Sequence, residues 1–152
     1  MDAGNDRIEQ RIVINATLER VWDLVTRPGW WVPTEVEAPV DRTPGHQTVR
    51  ESAKWGRFAV EVVRIEPRTY AAFRWASQFP GEELAPGKTT LIEFTVAQKE
   101  PGQGVTVTVV ETGFAALDAT EAERKAGFDA NTEGWGMELA GLKERAEGAP
   151  RE

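Results

Sequence analysis

Thr120-Glu-Ala-Glu-Arg-Lys-Ala-Gly-Phe-Asp-Ala-Asn-Thr-Glu-Gly-Trp-Gly-Met-Glu-Leu-Ala-Gly-Leu-Lys-Glu-Arg-Ala-Glu147 is the stretch whose reading decides the fold. Thr120 and Glu123 form a capping box, in which a hydroxyl and a carboxylate satisfy backbone N–H groups orphaned at a helix start. Phe128, Trp135, Leu139, Leu142 and Ala146 then recur at helical spacing as one apolar stripe. Glu121 and Lys125 stand one turn apart and are expected to pair. Gly148, Ala149 and Pro150 follow in the order that closes a helix. Such a helix would be roughly 42 Å long, more than a simple cap on a small domain requires. Gly127, Asn131, Gly134 and Gly136 weaken its first half, which predicts a kink or a true start near Asn131.

Upstream of this helix the pattern is mostly that of strands. His46–Ala53, Arg57–Glu66, Tyr70–Ser77, Thr89–Gln98 and Val105–Thr112 are predicted strands, broken by turn-forming residues. Short breaks between strands imply an antiparallel meander, with the loop from Gln78 to Lys88 the longest interruption. One face collects Phe58, Val60, Val62, Phe73, Trp75, Ile92, Phe94, Val96, Val105, Val107 and Val109. The other carries Glu61, Arg74, Glu93, Thr106 and Thr108, and its charges are expected to form a solvent-side ladder. The apolar face must be buried, and the long helix is its natural cover.

Nearer the start, Arg7–Asn15 alternates as a first strand, with Ile8, Ile12 and Ile14 on one face. Asn15 or Thr17 can cap a helix over Leu18–Thr26, where Leu18, Val21, Trp22 and Val25 share a side. Pro28 and Pro33 bracket Gly29–Val32, leaving space for one short helical turn. Pro39 limits Glu35–Thr43 to a short or edge strand. The fold class is therefore α+β: one domain over 1–152, core about 7–147, with a curved antiparallel sheet wrapped on the C-terminal helix and two short helices after the first strand.

Composition narrows the function. A net charge of −7 without a Lys/Arg stripe argues against nucleic acid. Neither a membrane-length apolar run nor a basic amphipathic segment is present, so no membrane partner is expected. The polar, acidic Met1–Asp6 does not read as a signal peptide, and the cysteine-free chain suits a reducing cytoplasm. His46 is the only histidine and follows a Thr-Pro-Gly turn, where an exposed loop-edge side chain is expected. Without cysteine or a second histidine there is no zinc set and no Cys–His nucleophile, and no spaced Asp/Glu run forms a calcium loop. Gly102-Gln103-Gly104 lacks the third glycine and helix of a dinucleotide loop and reads as a hairpin turn. No cofactor is expected.

Six tryptophans and six phenylalanines against one tyrosine are the unusual feature. Trp31, Trp55, Phe58, Phe73, Trp75, Phe94, Phe114, Phe128 and Trp135 are candidates to line a space between sheet and helix. Any one of them is expected to fill core. As a set they are balanced between a filled core and a cavity, because a curved sheet and one helix leave a space that is hard to close. Trp30 and Trp31 sit in a Pro-flanked turn, where rings often cover a pocket mouth or meet a partner. The polar candidates are Glu111 and Glu51, both weak as catalytic groups. Strict alternation places Glu111 with Val105, Val107 and Val109, where burial would raise its pKa. There it could bind a ligand hydroxyl or amine, or act as a general base. The simpler expectation is that the strand ends or bulges at Thr112-Gly113 and turns Glu111 to water. Glu51 shares a face with Val49 and has the same ambiguity, while Arg64 is either past the core edge or a cation at a pocket rim.

Four stretches resemble a known family: Ile12-Val-Ile-Asn-Ala-Thr-Leu-Glu-Arg-Val-Trp22, Val63-Arg-Ile-Glu-Pro-Arg68, Thr89-Thr-Leu-Ile-Glu-Phe94, and Glu111-Thr-Gly-Phe114 with Asn131-Thr-Glu-Gly-Trp135. Together they resemble the START / SRPBCC superfamily with its helix-grip fold, and within it the bacterial homologues of the activator of heat-shock-protein-90 ATPase. The last pair is the most specific, although the family often has His where this chain has Thr112. The resemblance implies a cavity for an apolar or aromatic small molecule and no single shared reaction. The expected ligand-binding set is Trp31, Phe58, Phe73, Trp75, Phe94, Glu111, Phe128 and Trp135. Alternatives are a cyclase, dehydratase or hydrolase working in the same cavity, or a chaperone or regulator interaction module touching its partner through Trp30-Trp31. A homodimer is left open.

Overall fold

A computed structural model describes residues 6–34, 39–100 and 102–148. Six strands, β1 (Arg7–Ile14), β2 (Gln47–Ser52), β3 (Gly56–Glu66), β4 (Tyr70–Trp75), β5 (Thr90–Gln98) and β6 (Val105–Thr112), form one antiparallel sheet. Helix α1 (Leu18–Val25) follows β1, and helix α2 (Glu121–Glu147) ends the described chain. The order in the sheet is β1-β6-β5-β4-β3-β2, a meander from β2 to β6 with the first strand returned beside the last. Ile14 faces Val105 across that closing pair, and Ile8 faces Glu111.

The residues expected on the inner face are all buried, and α2 covers them with Trp135, Leu139, Leu142 and Ala146. α2 runs unbroken from Glu121, contrary to the predicted kink or late start. Its capping box is complete at both bonds, which offsets the weak helix formers Gly127 and Gly134. Lys125 bonds Asp129 at 2.9 Å, so it reaches toward the following turn rather than back to Glu121. At the far end Gly148 is not left-handed (φ −63°). Instead Arg20 of α1 donates to the carbonyls of Arg145 and Ala146 at 2.7 and 3.0 Å, satisfying acceptors that a helix end leaves orphaned.

Two local features reset the alternation. The register of β3 against β4 slips between Val62 and Arg64, so one extra residue reverses the faces. Ile65 thereby packs on the core, while Arg64 points to solvent and pairs with Glu66 at 2.5 Å. Gly113, at φ 107°, turns the chain out of β6 into a short 3-10 turn, Phe114–Ala116. The Asp6 carboxylate accepts from the N–H groups of Gly113, Phe114 and Ala115 at 3.2, 2.8 and 3.1 Å. On the outer face Glu61 opposes Arg74, but Glu93 accepts from the Tyr70 hydroxyl at 2.5 Å.

The segment after α1 forms consecutive turns, with Trp30 donating to the Arg27 carbonyl and Val32 to that of Gly29. Gly29 has φ 79°, and a Cβ there would stand 2.6 Å from the Arg50 stem. The backbone can cross the buried Arg50 side chain only because this residue has none. Residues 39–43 make no strand, and the rest of the predicted Glu35–Thr43 segment lies outside the described residues.

Candidate functional site

The inward turn carries Trp30 and Trp31 into the space between sheet and helix, where each is only 4% exposed. This corrects the expectation of an exposed partner surface: with Gly29 bending the chain over Arg50, both rings are buried in the interior, where they leave water. Trp31 packs against Phe73, Trp75, Phe94 and Trp135 with ring centroids 5.5–5.8 Å apart. Trp30 meets Phe94 at 5.6 Å. Edge and tilted contacts of this kind hold each ring in one orientation.

Glu111 lies under that cluster and is fully buried. The expected outward turn does not happen, because β6 continues regularly through Thr112 and the break falls at Gly113. Trp75 Nε1 donates to the carboxylate at 2.9 Å, Thr90 Oγ1 at 2.6 Å and Trp135 Nε1 at 2.8 Å. Asn131 Nδ2 reaches both oxygens at 3.2 and 3.3 Å. Trp75 and Thr90 face each other across β4 and β5, and Asn131 and Trp135 are one turn apart on α2, so four donors from three elements converge on the one carboxylate that β6 presents. Burial pushes its pKa up, and the hydrogen bonds from Thr90, Trp75, Trp135 and Asn131 pull against that rise.

Beside this network is a cavity of about 1140 Å³. Trp31, Phe58 and Trp75 line it together with Trp135 of α2, and Ser77, Gln78 and Asn131 add polar groups. The Ser77 hydroxyl accepts from Asn131 at 3.1 Å, which ties the lining to the Glu111 network. Gly127 of α2 leaves space for the Gln78 amide, since a Cβ there would stand 2.2 Å from it. Trp55, at the tip of the β2–β3 hairpin, and Met137 of α2 remain exposed at the cavity margin.

The other sequence candidates separate clearly. Phe73 and Phe94 are fully buried and lie behind the lining, as core. Phe128 is half-buried and packs on Phe114 at 5.3 Å, away from the cavity. Glu51 is on the outer face of the edge strand, with its side chain 78% exposed near Arg57. His46 is exposed beside Asp41, 3.4 Å away. No group of three or more metal-ligating side chains occurs among the described residues. Nor, among them, is any helix long and apolar enough to cross a membrane. Thr90, Ser77 and Gln78 had no sequence signal, since nothing local distinguishes a strand-end hydroxyl or a loop amide that faces inward. Asn131 did have one: it opens the Asn131–Trp135 stretch, which the fold brings onto the Glu111–Phe114 stretch.

The family described as Activator of Hsp90 ATPase homolog 1-like protein matches residues 15–147. No curated protein matches this sequence. Among solved structures, DynU16, from the dynemicin biosynthetic locus, is 21% identical with a TM-score of 0.68. That match covers 95% of this chain and 48% of the other, so the chain spans about half of that protein. MLL2253 from Mesorhizobium loti is 17% identical (TM-score 0.66; 91% of this chain, 94% of that one). The Aha1 dimer from Colwellia psychrerythraea is also 17% identical (TM-score 0.66; 93% and 96%). Likeness at this level of identity is likeness of fold.

Proposed function

From a chain that belongs to the Activator of Hsp90 ATPase homolog 1-like family, we propose a protein that binds a small apolar or aromatic molecule between the sheet and the first half of α2. The observation that supports this reading is the cavity itself: about 1140 Å³, walled by six aromatic rings and carrying a few convergent polar groups. Sites for small molecules have this composition, apolar walls for affinity and sparse polar atoms for orientation. The Glu111 network holds the walls in place, since both Trp75 and Trp135 are fixed at their N–H ends. Acid–base chemistry by Glu111 has less support, because the carboxylate is fully buried and absent from the lining. A partner surface at Trp30-Trp31 has none, with both rings in the core. A cysteine-free chain suits the cytoplasm, where we place it.

The test is a titration with the neutral dye N-phenyl-1-naphthylamine, followed by displacement with a panel of apolar and aromatic compounds. Dye fluorescence should rise saturably with the wild type. It should fall in an Ala130→Trp variant, whose added ring would occupy the cavity from the exposed side of α2. Equal dye binding by both proteins, with circular dichroism unchanged, would refute the cavity as the site.

A further inference from the structure

We infer that the molecule taken by this cavity is an organic cation, an amine on an aromatic or apolar body. The inference rests on the binding reading above and narrows its ligand class. The first support is the electrostatics of the wall. Every hydrogen-bond partner of Glu111 is a neutral donor, and among the described residues no Lys or Arg stands within ion-pair distance of it. Two of those donors are the indoles of Trp75 and Trp135, whose rings line the cavity. An indole that donates its N–H to a carboxyl oxygen has a more electron-rich face, whether or not Glu111 holds its proton. Such a wall attracts positive charge.

The second support is Glu138. It lines the cavity from α2, is half-buried, and has no hydrogen bond or ion pair among the described residues. Burial raises its pKa, opposed by Arg145 two turns further along the helix. A carboxylate partly removed from water without a partner is a costly arrangement that a bound ammonium group would relieve.

The third support is that carboxylates outnumber cations in the lining, Asp118, Glu123, Glu133 and Glu138 against Lys54 and Arg124. Arg124 donates through one terminal nitrogen to the carbonyls of Leu117 and Ala119, while its buried Nε has no partner among the described residues. Lys54 holds its ammonium 4.7 Å from the centre of the Trp55 ring.

Three probes with one ring system separate the possibilities: 9-(aminomethyl)anthracene, 9-anthracenemethanol and 9-anthracenecarboxylate, titrated by calorimetry into the full chain near neutral pH and low salt. The amine is expected to bind about tenfold more tightly than the alcohol, a preference that shrinks in high salt. Glu138→Gln should weaken the amine by about threefold and leave the alcohol unchanged. Trp75→Phe, which removes one indole–carboxylate bond, should also narrow the amine's advantage, with circular dichroism confirming a folded chain. Alcohol binding as tightly as amine would overturn the cation inference and leave the cavity reading standing. Tightest binding by the carboxylate would overturn it in favour of anion capture by Lys54 and Arg124. Binding by none of the three would overturn both.

Discussion

Replacing Glu111 with Gln tests the buried carboxylate most directly, and the structure sets the size and sign of the effect. In the wild type one oxygen receives Trp135, the other receives Trp75 and Thr90, and Asn131 spans both. An amide keeps one acceptor oxygen but presents an NH₂ group to the remaining donors. One indole N–H therefore loses its partner while still buried, at a cost of about 1–3 kcal/mol. Against this, the variant has no charge to desolvate. Because burial raises the folded-state pKa of Glu111 above its ordinary value near 4.5, the folded chain holds this proton more tightly than the unfolded one. The associated stability is fully present below about pH 4.5, and it is lost as pH rises through the raised folded value. Each whole pH unit between the two values removes about 1.4 kcal/mol from the wild type, and nothing from the Gln variant. The variant should thus gain stability relative to the wild type as pH rises from mild acid toward neutral. Urea unfolding of both proteins, followed by tryptophan fluorescence at a series of pH values, measures it. Other carboxylates cancel in the difference. Parallel stability curves across that range would refute the reasoning, since they require Glu111 to titrate like an exposed carboxylate.

Three further substitutions test the scaffold. Thr120→Ala removes the hydroxyl that accepts from Glu123 N–H at 3.1 Å, and should cost about 0.5–2 kcal/mol in chemical denaturation. Leu142→Ala empties a side chain that is 1% exposed under α2, and should cost about 2–5 kcal/mol, the larger figure if the site cannot collapse. Gly134→Ala should stabilise by up to about 1 kcal/mol, because the new Cβ meets open space and the helix gains propensity. Since Gly134 also lines the cavity, the same variant should alter dye affinity; unchanged affinity would place the ligand away from this part of α2.

Much of the fold is legible along the chain because the rules involved are local. Alternation over two residues marks a half-buried strand, and a capping box before a 3.6-residue stripe marks a helix. Those rules place β2 through β6 and α1 within a residue or two, mark the capping box and far end of α2, and identify the buried face of the sheet, although the glycines of α2 suggested a kink or late start that its capping box overrides. The residues they misplace or leave open depend on what lies across space. Arg64 faces outward because one extra residue in β3 shifts the register against β4. Trp30 and Trp31 are buried because Gly29 lets the backbone pass over a side chain from β2.

The site divides in the same way. The sequence by itself determines that Trp75, Glu111, Asn131 and Trp135 stand on particular strands and on one helix, with the inward phase of the strands set by alternation. Only the tertiary structure decides that these four meet, together with Thr90, around a single carboxylate. A buried charge is tolerated only when enough donors surround it, and here the donors come from β4, β5 and α2, brought together by the closure of the sheet under the helix. Local pattern carries no information about that closure, so it could not tell a carboxylate turned to water from one held at the centre of the fold.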